Sequence, residues 1–128
     1  MRLKYISLMV DDQAKALEFY TSVLGFKKVE DVPAGGHRWI TVASPQGIEG
    51  VELVLEPAEF PPAMTYQKAL FEAGIPAALF VTDDINAEYD RLKSRGAKFR
   101  GGLMEACDVK LAIFEDTCGN LVQLIQPA

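Results

Sequence analysis

At 128 residues with a 49% hydrophobic composition, the chain has enough apolar material for one packed domain and too little length for two independent cores. Its formal net charge of −5 and the lack of any Lys/Arg stripe exclude nucleic acid as a partner, because phosphate neutralisation needs clustered cations. No apolar run approaches the ~20 residues needed to span a bilayer, and the N-terminus has no leader-like pattern, so a cytoplasmic protein is expected. The two cysteines, Cys107 and Cys118, fit a reducing compartment.

In chain order, Lys4 to Val10 alternates as a half-buried strand does. Asp12 offers a helix cap. Ala16, Leu17, Tyr20, Val23 and Leu24 follow at helical spacing, and Gly25 stops the helix. Strands are predicted near 2–10, 26–31, 38–44 and 50–56, around a helix near 13–24. Pro57, Pro61 and Pro62 then break the pattern, with room for a short helix from Met64 to Ala73 before Gly74. The pattern starts again with strands near 76–82, 97–101, 108–115 and 120–126 and a helix near 84–95.

A shift of 71 residues superposes the two halves: Leu8-Met9-Val10 on Leu79-Phe80-Val81, Asp12 on Asp83, Gly25 on Gly96 and Leu53 on Leu124. The chain therefore reads as a single α+β domain of two βαβββ modules. The first spans about 1–57, a linker about 58–75, and the second about 76–128. Alternation puts Leu8, Val10, Leu53 and Leu55 under the first helix and Tyr5, Ser7, Trp39, Thr41 and Glu52 on the opposite face. The same shift puts Leu79, Val81, Leu111 and Ile113 under the second helix. It leaves Phe80, Lys110, Phe114 and Gln123 on the opposite face. That second face is aromatic, small and polar, as a ligand pocket is. A partly exposed sheet or an interface between copies fits it too.

Phe19-Tyr20 with Leu24-Gly25-Phe26 resembles the F-Y-x-x-x-L-G-F signature of the vicinal oxygen chelate superfamily. Phe114-x-Asp116-x-x-Gly119-Asn120-x-x-Gln123-Leu124 resembles its closing hairpin. The superfamily comprises glyoxalases, bleomycin-resistance proteins and extradiol dioxygenases. The resemblance covers nearly the whole chain. It implies paired modules whose curved sheets form a cup, and a homodimer. In metal-using members each half gives two ligands, and those positions fall here on Tyr5, Glu52, Pro76 and Gln123. Only Glu52 is a strong ligand for a divalent ion. The resemblance thus implies a degenerate metal site with no cofactor, in a protein that binds a small organic ligand. The ligand wall would comprise Tyr5, Ser7, Trp39, Glu52, Phe80, Phe114 and Gln123. A superfamily lyase, isomerase or dioxygenase using a rearranged divalent metal site, or Glu52 as catalytic general base, stays open. So do plain core packing for the aromatic rings, a rim position or proton-shuttle role for His37, and small-residue packing for Cys118.

Overall fold

The computed structural model describes residues 1–128. The first module runs β1 (Tyr5–Val10), α1 (Gln13–Glu18), β2 (Lys27–Ala34), β3 (His37–Ala43) and β4 (Glu52–Pro57). The linker contains α2 (Pro61–Glu72). The second module runs β5 (Ala78–Val81), α3 (Ile85–Ser94), β6 (Lys98–Phe99), β7 (Met104–Ala106), β8 (Val109–Glu115) and β9 (Leu121–Gln126). The sheets order as β1-β4-β3-β2 and β5-β9-β8-β6, with the short β7 pairing β8. In each, the first strand runs parallel to the last and forms an edge. β2 extends beyond its predicted end because Gly35 and Gly36, both at positive φ, close a two-residue hairpin that pairs Ala34 with His37. β7 was not predicted from the sequence.

Asp12 and Asp84 cap α1 and α3 by accepting the backbone N–H groups of Lys15 and Ala87. These caps lie 72 residues apart, whereas the helix-ending glycines Gly25 and Gly96 lie 71 apart. The first module therefore has one extra residue between cap and stop. It is absorbed by a π-helical turn, Phe19–Val23, in which the Leu24 N–H reaches back five residues to the Phe19 carbonyl. The repeat is thus not gapless, which corrects the single shift read from the sequence. Burial calls for an even offset between β1 and β5, where 72 matches Leu8 with Phe80, and between β3 and β8, where it matches Val42 with Phe114, and for an odd one between β4 and β9, as 71 gives for Leu53 and Leu124. A slip of one residue turns every side chain of a strand to the other face. Accordingly Phe80 and Phe114 pack on the helix side. Leu79 and Val81, 60% and 68% exposed, lie on the opposite side together with Leu111 and Ile113.

The helix-side rows of both sheets share one core of 17 buried residues with α1 and α3. The Phe19 ring lies 6.1 Å from Phe114, and Phe26 lies 5.4 Å from Phe80. Arg91 of α3 donates to the Leu24 carbonyl at 3.2 Å. Buried polar groups lock the halves together. Asp116, with no exposure, accepts from Tyr20 Oη (2.8 Å), the Cys118 N–H (3.0 Å), the Asn120 N–H (2.9 Å) and Asn120 Nδ2 (2.8 Å). Asn120 and Gln67 both donate to the Met9 carbonyl. Burial, with Asp116 adding to it, pushes the Tyr20 phenol well above its ordinary range. The Cys118 thiol is pushed up in the same way, which makes it inert packing rather than a nucleophile.

Candidate functional site

Because the helix-side rows face each other, the opposite rows of the two sheets point outward on separate flanks. β1 and β5 are unpaired edges of separate sheets, so one chain does not close a continuous cup. The position related to Tyr5 is Ala77, not Pro76, once the offset of 72 is applied. Gln123 has Leu79 as its cross-strand partner and Ile113 on its other side.

The outward face of the first sheet carries the chemistry. Tyr5 pairs with Glu52, and Ser7 with Val54. The Tyr5 and Trp39 rings come edge to face across β4 at 5.3 Å, while Val54 and Thr41, on the same face of the sheet, are buried. Trp39 Nε1 donates to Glu30 at 2.9 Å, and Ser7 Oγ to Glu56 at 3.2 Å. Glu52 is 6% exposed, with both carboxylate oxygens engaged: Oε1 accepts from Thr41 Oγ1 at 2.7 Å, and Oε2 lies 3.0 Å from Lys4 Nζ. The Thr41 hydroxyl and then the Lys4 ammonium hold the Glu52 carboxyl below its ordinary range, against the opposing effect of burial. A general base serves best with a pKa near the working pH, so this shift takes Glu52 away from base catalysis at neutrality.

Lys4 and Thr41 were not singled out by sequence reasoning. Thr41 sat on the correct row and could have been picked as the neighbour of Glu52. Lys4 flanks the strand and reads as a solvated side chain, so nothing in its own position signals the pairing.

Of the other residues expected to line a ligand, Ser7, Glu52 and Phe80 border a cavity of about 320 Å³ between β1, β4 and β5, floored by Phe26, Val42 and Leu53. A second space, about 760 Å³, adjoins it under the loop 44–50 and shares Phe26, Ile48 and Phe80 with it. Phe114 borders only this second space and is 1% exposed, packed between Phe19 and Phe99. Tyr5, Trp39 and Gln123 border neither. His37 begins β3 at the β2–β3 hairpin and borders neither space; its Nε2 lies 3.0 Å from the Glu59 carboxylate.

No three His, Cys, Asp or Glu side chains gather anywhere in the chain. Glu52 is already neutralised by Lys4, and the second module offers an amide at Gln123 beside aliphatic Leu79. No helix is long and apolar enough to cross a membrane.

A two-module α+β architecture, with each sheet carrying a helix on one face and a ligand-sized space beside its edge strand, defines the glyoxalase-like class of folds. Residues 2–124 match the family model for the Glyoxalase/Bleomycin resistance protein/Dioxygenase superfamily, and the chain belongs to that family. It is 50% identical over 126 residues to the protein YurT of Bacillus subtilis (strain 168), covering 98% of this chain and 99% of that one. Among solved structures it resembles UcmS2, with a TM-score of 0.82 and 28% identity over 98% of this chain and 97% of that one. It also resembles TnmS3, an antibiotic binding protein from Streptomyces sp. CB03234, with a TM-score of 0.78 and 30% identity over 100% of this chain and 97% of that one.

Proposed function

We propose that this protein binds a small organic molecule without a metal ion, on the outward face of the first sheet around Tyr5, Trp39 and Glu52. The observation that carries this reading is the state of Glu52: its two oxygens are held by Thr41 and Lys4, and the Lys4 ammonium takes the place beside it that a cation would need. The likeness to an antibiotic binding protein supports a binding role over a catalytic one, and places antibiotics among the ligand classes to test. Ligand sites combine apolar walls with a few fixed polar groups, as this face does.

The pocket is completed by a homodimer. The exposed row of Leu79 and Val81, the half-exposed Ile6 and the open edges of β1 and β5 favour a second copy, which would bring its Gln123 face beside Glu52 of the first. Thermal-shift screening of untagged protein against aromatic and glycopeptide antibiotics, with and without EDTA, tests the binding role. A ligand-induced rise in Tm that EDTA leaves unchanged is expected. Stoichiometric nickel, zinc, iron or manganese in the purified protein would overturn it. Sedimentation equilibrium tests the assembly: a dimer is expected, reduced to monomer by Leu79→Glu with Val81→Glu.

A further inference from the structure

The shared core is left open along the seam between the modules. Phe26, Leu53, Ala78 and Phe80 pack against it yet stay partly exposed, and all of them border the cavity of about 320 Å³. This cavity is floored from the helix side of the first sheet, and neither Tyr5 nor Trp39 of the outward face borders it. Interiors are otherwise close-packed, and an apolar space that offers water few partners is stabilised by an apolar guest. The adjoining space of about 760 Å³ is bordered by the carboxylates of Asp83, Asp84 and Glu88 against the single cation Arg91. Arg91 is already occupied, by Glu88 at 2.6 Å and by the Leu24 carbonyl at 3.2 Å. No lysine borders either space. Asp83 is exposed and forms no ion pair. The loop between β3 and β4 lies over both spaces, with Gly47 and Ile48 bordering each. Its backbone hydrogen bonds are local, from Gly47 N–H to the Ser44 carbonyl and from Val51 N–H to the Ile48 carbonyl. Ile48 is 80% exposed.

We propose that this seam is a second binding site and that it takes an amphiphilic amine. The alkyl chain fills the cavity over Phe26, Leu53 and Phe80, the ammonium points to Asp83, and Ile48 folds down over the chain. The seam is independent of the ligand site on the outward face. Burial of the chain and of Ile48 drives binding, because both leave water for an apolar surface. The sign of the head group follows from the rim: a carboxylate would meet three like charges and no unpaired cation, whereas an ammonium meets opposite charge.

The experiment titrates octylamine and octanoate, equal in chain length and opposite in charge, into isotope-labelled protein followed by NMR. Shifts are expected at Ile48, Ala78 and Phe80 and not at Tyr5 or Trp39. The Kd of octylamine should lie about tenfold below that of octanoate, and Asp83→Asn should narrow that gap. Ala78→Leu fills the cavity and should abolish binding of the amine at unchanged Tm. Ile48→Ser alters an exposed side chain, so the fold is kept, and should weaken the amine by about tenfold. Amine binding that survives Ala78→Leu, or octanoate binding as tightly as octylamine, overturns the assignment. So do shifts confined to Tyr5 and Trp39, which would put the amine on the outward face, and the absence of any binding. A changed sedimentation mass in Ala78→Leu would show that a second copy fills the seam, and overturns it too. Should Ala78→Leu fail to fold, Ile48→Ser decides alone: an unchanged Kd refutes the site.

Discussion

Tyr20→Phe isolates one of the buried bonds that tie the two modules together. The ring stays: it is fully buried, edge to face with Phe19 at 5.5 Å and 6.1 Å from Phe26, and phenylalanine preserves those contacts. Only the hydroxyl is lost, together with its 2.8 Å hydrogen bond to Asp116 Oδ2. A hydrogen bond to a charged acceptor contributes about 1.5–3 kcal/mol. Asp116 keeps three donors after the substitution, so the lower half of that range is expected, about 1.5–2 kcal/mol. For a chain of 128 residues each kcal/mol moves Tm by about 3–6 °C, giving a fall of roughly 5–12 °C. Urea unfolding followed in parallel by far-ultraviolet circular dichroism and Trp39 fluorescence measures it. The two probes should lose their signals together, because the shared core makes the modules one cooperative unit. A loss below about 0.5 kcal/mol would show that the hydroxyl and the carboxylate are not bonded in the folded state. Separate transitions for the two probes would show that the modules unfold independently.

Three further outcomes are expected. Gly119→Ala should cost about 2–4 kcal/mol in thermal denaturation: φ is +100°, and an added Cβ would lie 2.8 Å from Gln67 Nε2, displacing a side chain that bonds Met9, Cys118 and Asn120. Replacing Cys107 by Asn and Asp108 by Gly should stabilise by about 1 kcal/mol in urea, since both residues have positive φ in the two-residue turn between Ala106 and Val109, where the Asn-Gly pair fits without strain. Glu52, with its folded pKa depressed, contributes stability that is complete above its ordinary value of 4.5 and is lost as pH falls through the lowered value. Carbon-detected NMR titration of the carboxyl groups should therefore find Glu52 titrating below 4.5 in wild type and at higher pH in Lys4→Met, with a weaker acid dependence of stability in that variant.

The parts of the fold with strong local signals were legible in the sequence. Asp12, Gly25 and Gly96 mark helix ends by their own chemistry, and the first strand alternates cleanly because its outward row includes Tyr5 and Ser7. The faces of β5 and β8 were not legible. Ala77-Ala78-Leu79-Phe80-Val81 is apolar at every position, so alternation cannot say which row is buried, and the internal repeat had to decide. For β5 it decided wrongly because one residue is hidden in the π-helical turn, which leaves the helix periodicity of Ala16, Leu17 and Tyr20 intact while shifting everything before it; for β8 a second residue, extra in the second module between Gly96 and Phe114, had the same effect. The odd offset of 71 keeps Glu52 and Gln123 on matching faces of β4 and β9, whereas the even offset of the first strands puts Pro76 on the face opposite to that of Tyr5. Lys4 was invisible because its partner comes from a strand 48 residues away, brought alongside by the parallel pairing of β1 and β4.

The same parallel pairing, made by different residues, gives the two sheets unlike outward faces. In the first sheet β1 and β4 set Tyr5, Ser7, Glu52 and Glu56 side by side, with Lys4 at the strand's start to neutralise the most buried carboxylate. In the second, β5 and β9 set Leu79 and Val81 beside Gln123 and Ile125, a row with a single polar group. An apolar row that large is unfavourable in water, and the polar face lacks an apolar wall opposite it. Each half presents what the other half lacks, yet the shared core fixes them on separate flanks, so one chain cannot bring them together. Two copies can: the second sheet of one chain then covers Tyr5, Trp39 and Lys4 of the other. Association and ligand binding are on this account linked, and a ligand held between the sheets should tighten the dimer by the same factor by which the dimer tightens the ligand.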